Sequence, residues 1–343
     1  MRILLIRPCC IGDVIMATAT LSALRSAYPD AHITWAVGGW SRRAIDYHPS
    51  VDTFLDTGVS AMPVKSISGF LRFVQQMRAG NFDIVVSLVR SPLMSLAVLL
   101  SGIPQRLGID SNRRGFGYTL PLKISPNQAQ HEAQIYLDVV GQLGIPTKDF
   151  QANLPVLDSA RASIQQKLAE NNINKPYIVI NPAGGNNPGM SLDSKRWLPE
   201  NFAQLANQLS KDLDCEIVLL AGPDDAKIID AVRVHLDSEP IAFIGTLSFP
   251  EIGALASLSR LYIGNDTGLT HIASASGAKT AMILGLTDPQ RYAPFTDNSI
   301  ALWKPIALDE GGVASVKSEN WDWQRDGISV EQALSEIRQF LDV

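Results

Sequence analysis

The feature that most constrains this chain is a repeated unit. A short, unbroken apolar run empties into a loop rich in glycine, asparagine or proline, and that loop opens a segment of helical periodicity. An unbroken run suits a strand covered on both faces, since a strand with one wet face alternates. Ile3–Ile6 is such a run. The loop Pro8–Gly12 follows, and Val14, Ile15, Ala17, Thr18, Leu21 and Leu24 then fall largely on one side of a helix over Val14–Tyr28 that Pro29 stops. The alternation continues with strands at Ile33–Val37, Phe54–Leu55 and Ile84–Val89, and with helices at Gly69–Met77, 92–100 and 132–142. Gly144–Leu157, of mixed polarity with two prolines, reads as a linker.

Past the linker the unit restarts. Asp158 is placed to cap a helix running to Glu170. Strands are expected at Tyr177–Ile180, Glu216–Leu220, Ala242–Ile244, Leu261–Ile263 and Thr280–Leu284, and helices at Glu200–Lys211, Ala226–Val234, from Pro250, and Gly268–Ser276. Residues 306–327 lack clear periodicity, and Val330–Leu341 closes the chain as an amphipathic helix. Repeated strand–helix units predict parallel, doubly wound sheets. A length of 343 residues accommodates two such domains, 1–157 and 158–327, with the segment 328–343 expected to pack back on the first.

The net charge of -5 argues against a general nucleic-acid binder. The charge is uneven: residues 1–150 hold 14 Lys+Arg and 10 Asp+Glu, against 15 and 24 in the remainder. A basic first half favours an anionic substrate or a membrane surface, although solvated faces vary this much by chance. Three cysteines, Cys9, Cys10 and Cys215, make no disulfide framework and suit a reducing, cytoplasmic setting. No secretory apolar stretch opens the chain, and the longest apolar run, Pro92–Leu100, falls well short of the roughly 20 residues of a spanning helix. Any membrane contact is therefore expected to be peripheral.

Ligands of doubly wound sheets sit at the carboxyl ends of strands. Four loops stand there. The first, Pro8–Asp13, has one glycine and no G-x-G-x-x-G spacing, and the second strand ends without an acid for a ribose, so both features count against NAD. Its Asp13 reads as a helix N-cap or as a general base. Cys9 and Cys10 read as small packing residues, since no histidine is near in sequence. The second loop, Asn181–Gly185 and on through Ser191 to Lys195-Arg196-Trp197, has glycines that let backbone N–H groups approach an anion and a lysine to meet a phosphate; a solvated surface loop is the plain alternative. The third, Gly264–His271, opens a helix after an apolar strand, which makes a ready anion site with the Thr267 hydroxyl, Asp266 and, one turn on, His271; a capped helix with a packed histidine is the alternative. The fourth, Gly285–Pro289, follows the next strand and is explained by turn chemistry or as a second wall of that site. Asp212-Leu213-Asp214 spells a metal–diphosphate pattern but lies at the wrong end of its strand, and the five histidines are too dispersed for a zinc site.

Taken together, Arg2–Arg7 with Gly12-Asp13-Val14, Lys195–Glu200, Gly264–His271 and Gly285–Pro289, in this order and spacing, resemble glycosyltransferase family 9, the ADP-heptose:lipopolysaccharide heptosyltransferases. The resemblance implies a GT-B fold, an α/β architecture of two Rossmann-like doubly wound domains facing across a cleft. It also implies inverting, metal-independent transfer of heptose from a nucleotide-linked donor to a lipopolysaccharide-core or other envelope glycan at the inner face of the inner membrane, with no cofactor and no obligate protein partner. By the same resemblance Asp13 is the base and Gly12, Arg113 and Arg114 lie on the acceptor side. Gly184, Gly185, Ser191, Lys195, Asp266, Thr267, Gly268 and His271 would meet the donor, and Asp224 or Asp225 the ribose. The Gly184–Ser194 stretch is longer than the family's pattern. An epimerase or hydrolase on the same scaffold, and a non-catalytic nucleotide-sugar binder, are the rival readings.

Overall fold

The structure is a computed structural model that describes all residues except 59–61, 126–128, 185, 188, 189, 192 and 309–319. It divides into two units, Met1–Asn153 and Leu154–Val343.

In the first unit the elements run β1 (Arg2–Ile6), α1 (Ile11–Ala27), β2 (His32–Val37), α2 (Gly39–Arg42), β3 (Thr53–Asp56), α3 (Ile67–Ala79), β4 (Ile84–Ser87), α4 (Pro92–Ser101), β5 (Gln105–Ser111), β6 (Leu120–Ile124) and α5 (Glu132–Gly141). The six strands are all parallel, in the order β3-β2-β1-β4-β5-β6. β1 is central, with Ile3 opposite both Ile33 and Ile84, and Ile3–Ile6 is fully buried. Alternation along the strand sends Leu4 and Ile6 into a core with Phe73 and Met77 of α3 and Met94 and Val98 of α4. α1 pairs with α5. Helix α1 starts earlier than its apolar stripe suggests, because Cys10 takes the N-cap place at φ 70° and Ile11 already lies in the first turn.

β5 and β6 are absent from the periodicity for a physical reason. β5 reads Gln-Arg-Leu-Gly-Ile-Asp-Ser, interrupted by charges, and β6 is an edge strand that tolerates Pro121 and Lys123.

The second unit has α6 (Asp158–Glu170), β7 (Tyr177–Asn181), a small antiparallel pair β8 (Asn186–Asn187) and β9 (Met190–Ser191), α7 (Pro199–Leu213), β10 (Glu216–Ala221), α8 (Ala226–Arg233), β11 (Ile241–Ile244), α9 (Phe249–Ser257), β12 (Leu261–Asn265), α10 (Gly268–Ala275), β13 (Thr280–Ile283), α11 (Pro289–Tyr292), β14 (Ser299–Leu302), α12 (Trp323–Asp326) and α13 (Val330–Leu341). Its sheet repeats the first in the order β11-β10-β7-β12-β13-β14, again all parallel. The N-cap of α6 is Leu157, not Asp158, whose carboxylate lies in the first turn where the helix dipole favours it.

The closing helix α13 buries Ala333 and Ile337 in the core of the second unit with Phe202 and Leu209 of α7, and it contacts α7 and β14. Its apolar stripe is satisfied there, and Arg338 on its polar side pairs with Asp212 at 2.6 Å.

In both sheets the winding reverses next to the first strand, between β1 and β4 and between β7 and β12. The loops leaving those strands at their carboxyl ends diverge, which opens a crevice where ligands of such sheets bind.

Candidate functional site

In the first unit the crevice holds a partly buried polar cluster. Asp13 is the third residue of α1, held at the end of β1 by the loop Arg7–Cys10. One carboxylate oxygen meets Arg7 Nη2 at 2.6 Å, and the other accepts from the Tyr136 hydroxyl of α5 at 3.0 Å. Arg7 also donates to the Leu88 carbonyl beyond β4 at 3.0 Å, and its guanidinium lies 5.3 Å from the Tyr136 ring centre. Burial works against the Arg7 charge, but Asp13 outweighs it and holds the guanidinium more firmly protonated than usual. Burial, with Asp13 adding to it, pushes the Tyr136 hydroxyl well above its ordinary value, so it stays a hydrogen-bond donor. One turn earlier on α5, Glu132 is buried and grips Arg90, in the loop after β4, through both carboxylate oxygens at 2.7 and 3.0 Å.

Asp13 thus caps nothing. Its carboxylate is oriented by two partners and still has lone pairs to accept a proton, since each oxygen offers two. Gly12 precedes it on the same turn. Arg113 and Arg114 sit in the exposed turn after β5, Arg113 at φ 60°, on the same edge of the sheet as Asp13 but two strands away from β1. Among the described residues neither forms a hydrogen bond or ion pair with the Asp13 cluster.

In the second unit three loops converge. Lys195 reaches Asp266 at 2.5 Å, and the Thr287 hydroxyl donates to the same carboxylate oxygen at 2.8 Å. Burial opposes the Asp266 charge, yet Lys195, then His271 and Thr287, hold it below the usual carboxylate range. Thr267 is the N-cap residue of α10, and the backbone N–H of His271 returns to its carbonyl at 3.3 Å. The first N–H groups of α10 therefore have no partner within the helix, which is what makes a helix start an anion site. Gly184 of the β7 loop lies against Thr267: a Cβ there would meet the Thr267 methyl at 2.0 Å, and φ is 121°. Only glycine lets the two loops approach this closely. Arg196 donates to the Gly184 carbonyl at 2.6 Å and lies 3.9 Å from Asp225. Burial raises the Asp225 carboxyl, with Arg196 opposing, whereas Asp224 is exposed.

The residue that ties both ends of the β7–α7 loop to the end of β12 is Asn265, which is fully buried. Its side chain accepts from the Trp197 N–H at 3.0 Å and donates to the carbonyls of Pro182 and Ala183 at 2.9 and 3.3 Å. Trp197 is fixed again through its indole N–H to the Ile328 carbonyl at 3.1 Å.

The structure therefore gathers Gly184, Lys195, Asp266, Thr267, Gly268 and His271, with Asp225 linked through Arg196. Gly185 lies outside the described residues, and only the backbone of Ser191, in β9, is described. The fourth loop joins the cluster through Thr287, while Asp288 is taken up as the N-cap of α11, accepting from the Gln290 N–H at 2.9 Å. Asp212 and Asp214 serve the fold, the first through Arg338 and the second by ending α7 at φ 42° beside Lys175. Sequence reasoning missed the roles of Arg7, Tyr136, Arg90, Glu132 and Asn265. Arg7 and Asn265 stood inside quoted motifs, but Tyr136 lies 123 residues from Asp13 and no local pattern marks it.

Two Rossmann-like lobes of identical strand order, each with a polar cluster at its switch point, constitute the GT-B architecture of glycosyltransferases. The chain belongs to glycosyltransferase family 9 (heptosyltransferase), whose sequence model matches residues 70–311, 242 of the 343, and it is a glycosyltransferase enzyme. It is 24% identical over 303 residues to lipopolysaccharide heptosyltransferase 3 of Escherichia coli, covering 85% of this chain and 86% of that one. Two solved structures share the fold. The glycosyl transferase family 9 protein from Veillonella parvula superposes with a TM-score of 0.81 at 22% identity, covering 99% of this chain and 97% of that one. The E. coli ADP-heptose lps heptosyltransferase II superposes with a TM-score of 0.76 at 20% identity, covering 99% and 98%.

Proposed function

We propose that this enzyme moves a heptose from ADP-heptose onto a lipopolysaccharide-core acceptor, with inversion at the anomeric carbon and without a metal. The names of the E. coli relatives support the donor and the acceptor. The observation that carries the reading is the Lys195–Asp266–Thr287 cluster beside the start of α10. An ammonium has three donors. Asp266 occupies one and steers the others, so Lys195 can meet the negative charge that builds on a departing diphosphate. The Thr267 hydroxyl and the N–H groups of Gly268 and its successors add fixed dipoles, and Gly184 lies against Thr267 on the approach. Preorganised donors of this kind do the work that a divalent cation does elsewhere. His271 backs Asp266, and Asp225, held by Arg196, is the acid assigned to the ribose in preference to exposed Asp224.

Asp13 is the general base. It takes the proton of the acceptor hydroxyl as the new glycosidic bond forms on the face opposite the leaving group, which inverts the centre. Arg7 and Tyr136 are positioning residues: each fixes one carboxylate oxygen. Arg113 and Arg114 would meet acidic groups of the acceptor.

No helix among the described residues is long and apolar enough to cross a membrane. The carboxyl edge of the first sheet nevertheless exposes Trp40, Ile67, Leu71, Leu93 and Phe116 together with Lys65, Arg72, Arg113 and Arg114. Apolar and basic groups on one rim suit peripheral contact with an anionic lipid surface, and we assign the enzyme to the cytoplasmic face of the inner membrane on that basis.

Calorimetric titration with ADP, UDP and GDP tests the donor assignment. ADP should bind selectively, and Lys195→Met should weaken it about tenfold or more. Preference for UDP or GDP, or undiminished ADP affinity in the variant, would overturn it.

A further inference from the structure

The loop that carries Asp13 holds two adjacent thiols that the proposed chemistry does not use. Cys9 Sγ and Cys10 Sγ lie 3.3 Å apart, and both side chains are partly exposed. Neighbouring side chains on an extended backbone point to opposite sides. Here Cys10 turns at φ 70°, a region that β-carbon-bearing residues seldom adopt, and this turn brings the two sulfurs to one side. The first turn of α1 begins at the next residue, and a helix start favours a thiolate. The hydrogen bond between the two thiols, aided by Arg7 and opposed by burial, brings the Cys9 thiol down to about 7 and pushes Cys10 up, so Cys10 keeps the proton it shares with Cys9.

Geometry selects what such a pair can bind. A direct disulfide would need the sulfurs to close from 3.3 Å to about 2.05 Å, between Cα atoms only about 3.8 Å apart across a trans peptide. Ordinary disulfides span about 4.4–6.8 Å between Cα atoms. A single large atom set between the two sulfurs needs no such approach.

We propose that Cys9 and Cys10 form a vicinal-dithiol capture site for a trivalent organoarsenic electrophile, on the loop that bears Asp13. The reaction with an arsenoso reagent R–As=O is a condensation. Two As–S bonds form, two S–H bonds and the As=O bond break, and the oxygen leaves as water with both thiol protons. Arsenic stays trivalent and no electrons are exchanged. The captured group sits one helical turn from Asp13, where it blocks glycosyl transfer; that consequence rests on the role proposed for Asp13, whereas capture itself does not.

The test uses the full-length protein and phenylarsine oxide, read by intact-mass spectrometry. One adduct per chain is expected, at the reagent mass less one water, stable to excess 2-mercaptoethanol and removed by 2,3-dimercaptopropanol. Cys9→Ser and Cys10→Ser should each abolish it while melting at the wild-type temperature. Cys215→Ser, altering a buried thiol in the second unit, should leave it in place. An adduct that survives in either single variant, that the monothiol removes, or that never forms on the wild-type chain would overturn the site. An adduct of the expected kind on an enzyme that still transfers sugar at full rate would overturn the blocking step, and with it the position argued for Asp13.

Discussion

Replacing Asn265 by alanine should cost the second lobe about 3–7 kcal/mol, and the figure follows from its contacts. The side chain is fully buried and makes three hydrogen bonds, to the Trp197 N–H and to the Pro182 and Ala183 carbonyls. Truncation strands the Trp197 N–H and the Pro182 carbonyl away from water. Each buried group left without a partner costs about 1–3 kcal/mol, and the small void adds about 1 kcal/mol more. A domain of this size loses about 2–4 °C of melting temperature per kcal/mol. The calorimetric transition of the Leu154–Val343 unit should therefore fall by roughly 10 °C or more, with the transition of the Met1–Asn153 unit unmoved. Asn265→Asp should be no better, because it keeps an acceptor for Trp197 but turns a carboxylate toward two carbonyl oxygens. A loss under about 0.5 kcal/mol in the alanine variant, the range of an ordinary surface change, would refute the claim that this side chain ties both ends of the β7–α7 loop to β12.

Other outcomes follow from the same geometry. Gly184→Ala places a methyl 2.0 Å from the Thr267 side chain at φ 121°, so donor affinity should fall about tenfold or more in a calorimetric titration; equal affinity would show that the loops need not touch. Tyr136→Phe removes one of the two groups that aim Asp13, and kcat should fall several-fold with KM for the donor unchanged; a change confined to KM would contradict a positioning role. His48 is buried, accepts from the Ser50 N–H through Nδ1 and faces the Asn153 carbonyl through Nε2, and burial lowers it to about 4, below the ordinary 6.5. A depressed histidine stabilises the fold above pH 6.5 and loses that contribution as pH falls toward 4, about 3 kcal/mol in all. Urea unfolding should show the advantage of wild type over His48→Gln shrinking across that window, and a pH-independent difference would sink the argument.

What the sequence made legible depends on where an element lies in its sheet. β1, β7 and β12 are covered on both faces, so their apolar runs are unbroken and their loops could be placed at the binding edge. β6 and β14 close the sheet edges and β5 carries Arg106 and Asp110, so no run survives to be read. The same holds within the clusters. The anion-suited start of α10 is a local property and was legible, but the partners of its Asp266 are 71 and 21 residues away. Asp13 stood between a cap and a base because local sequence shows neither Cys10 taking the N-cap place nor Tyr136 arriving from α5. Which of Asp224 and Asp225 turns inward is set by Arg196, which reaches across from another loop. That the final helix buries Ala333 and Ile337 in the second unit's core was not legible, because an amphipathic stripe says that a face is buried and not which core receives it.

The most direct test of the proposed reaction is single-turnover transfer from ADP-heptose to a lipopolysaccharide-core acceptor by the wild-type enzyme and by Asp13→Ala, with donor affinity measured on the same samples. Wild type should form the glycoside. The variant should bind ADP-heptose within about threefold of wild type and transfer it at least about 100-fold more slowly, in line with the loss of a positioned base. Transfer at a wild-type rate without the Asp13 carboxylate would contradict the account at its centre.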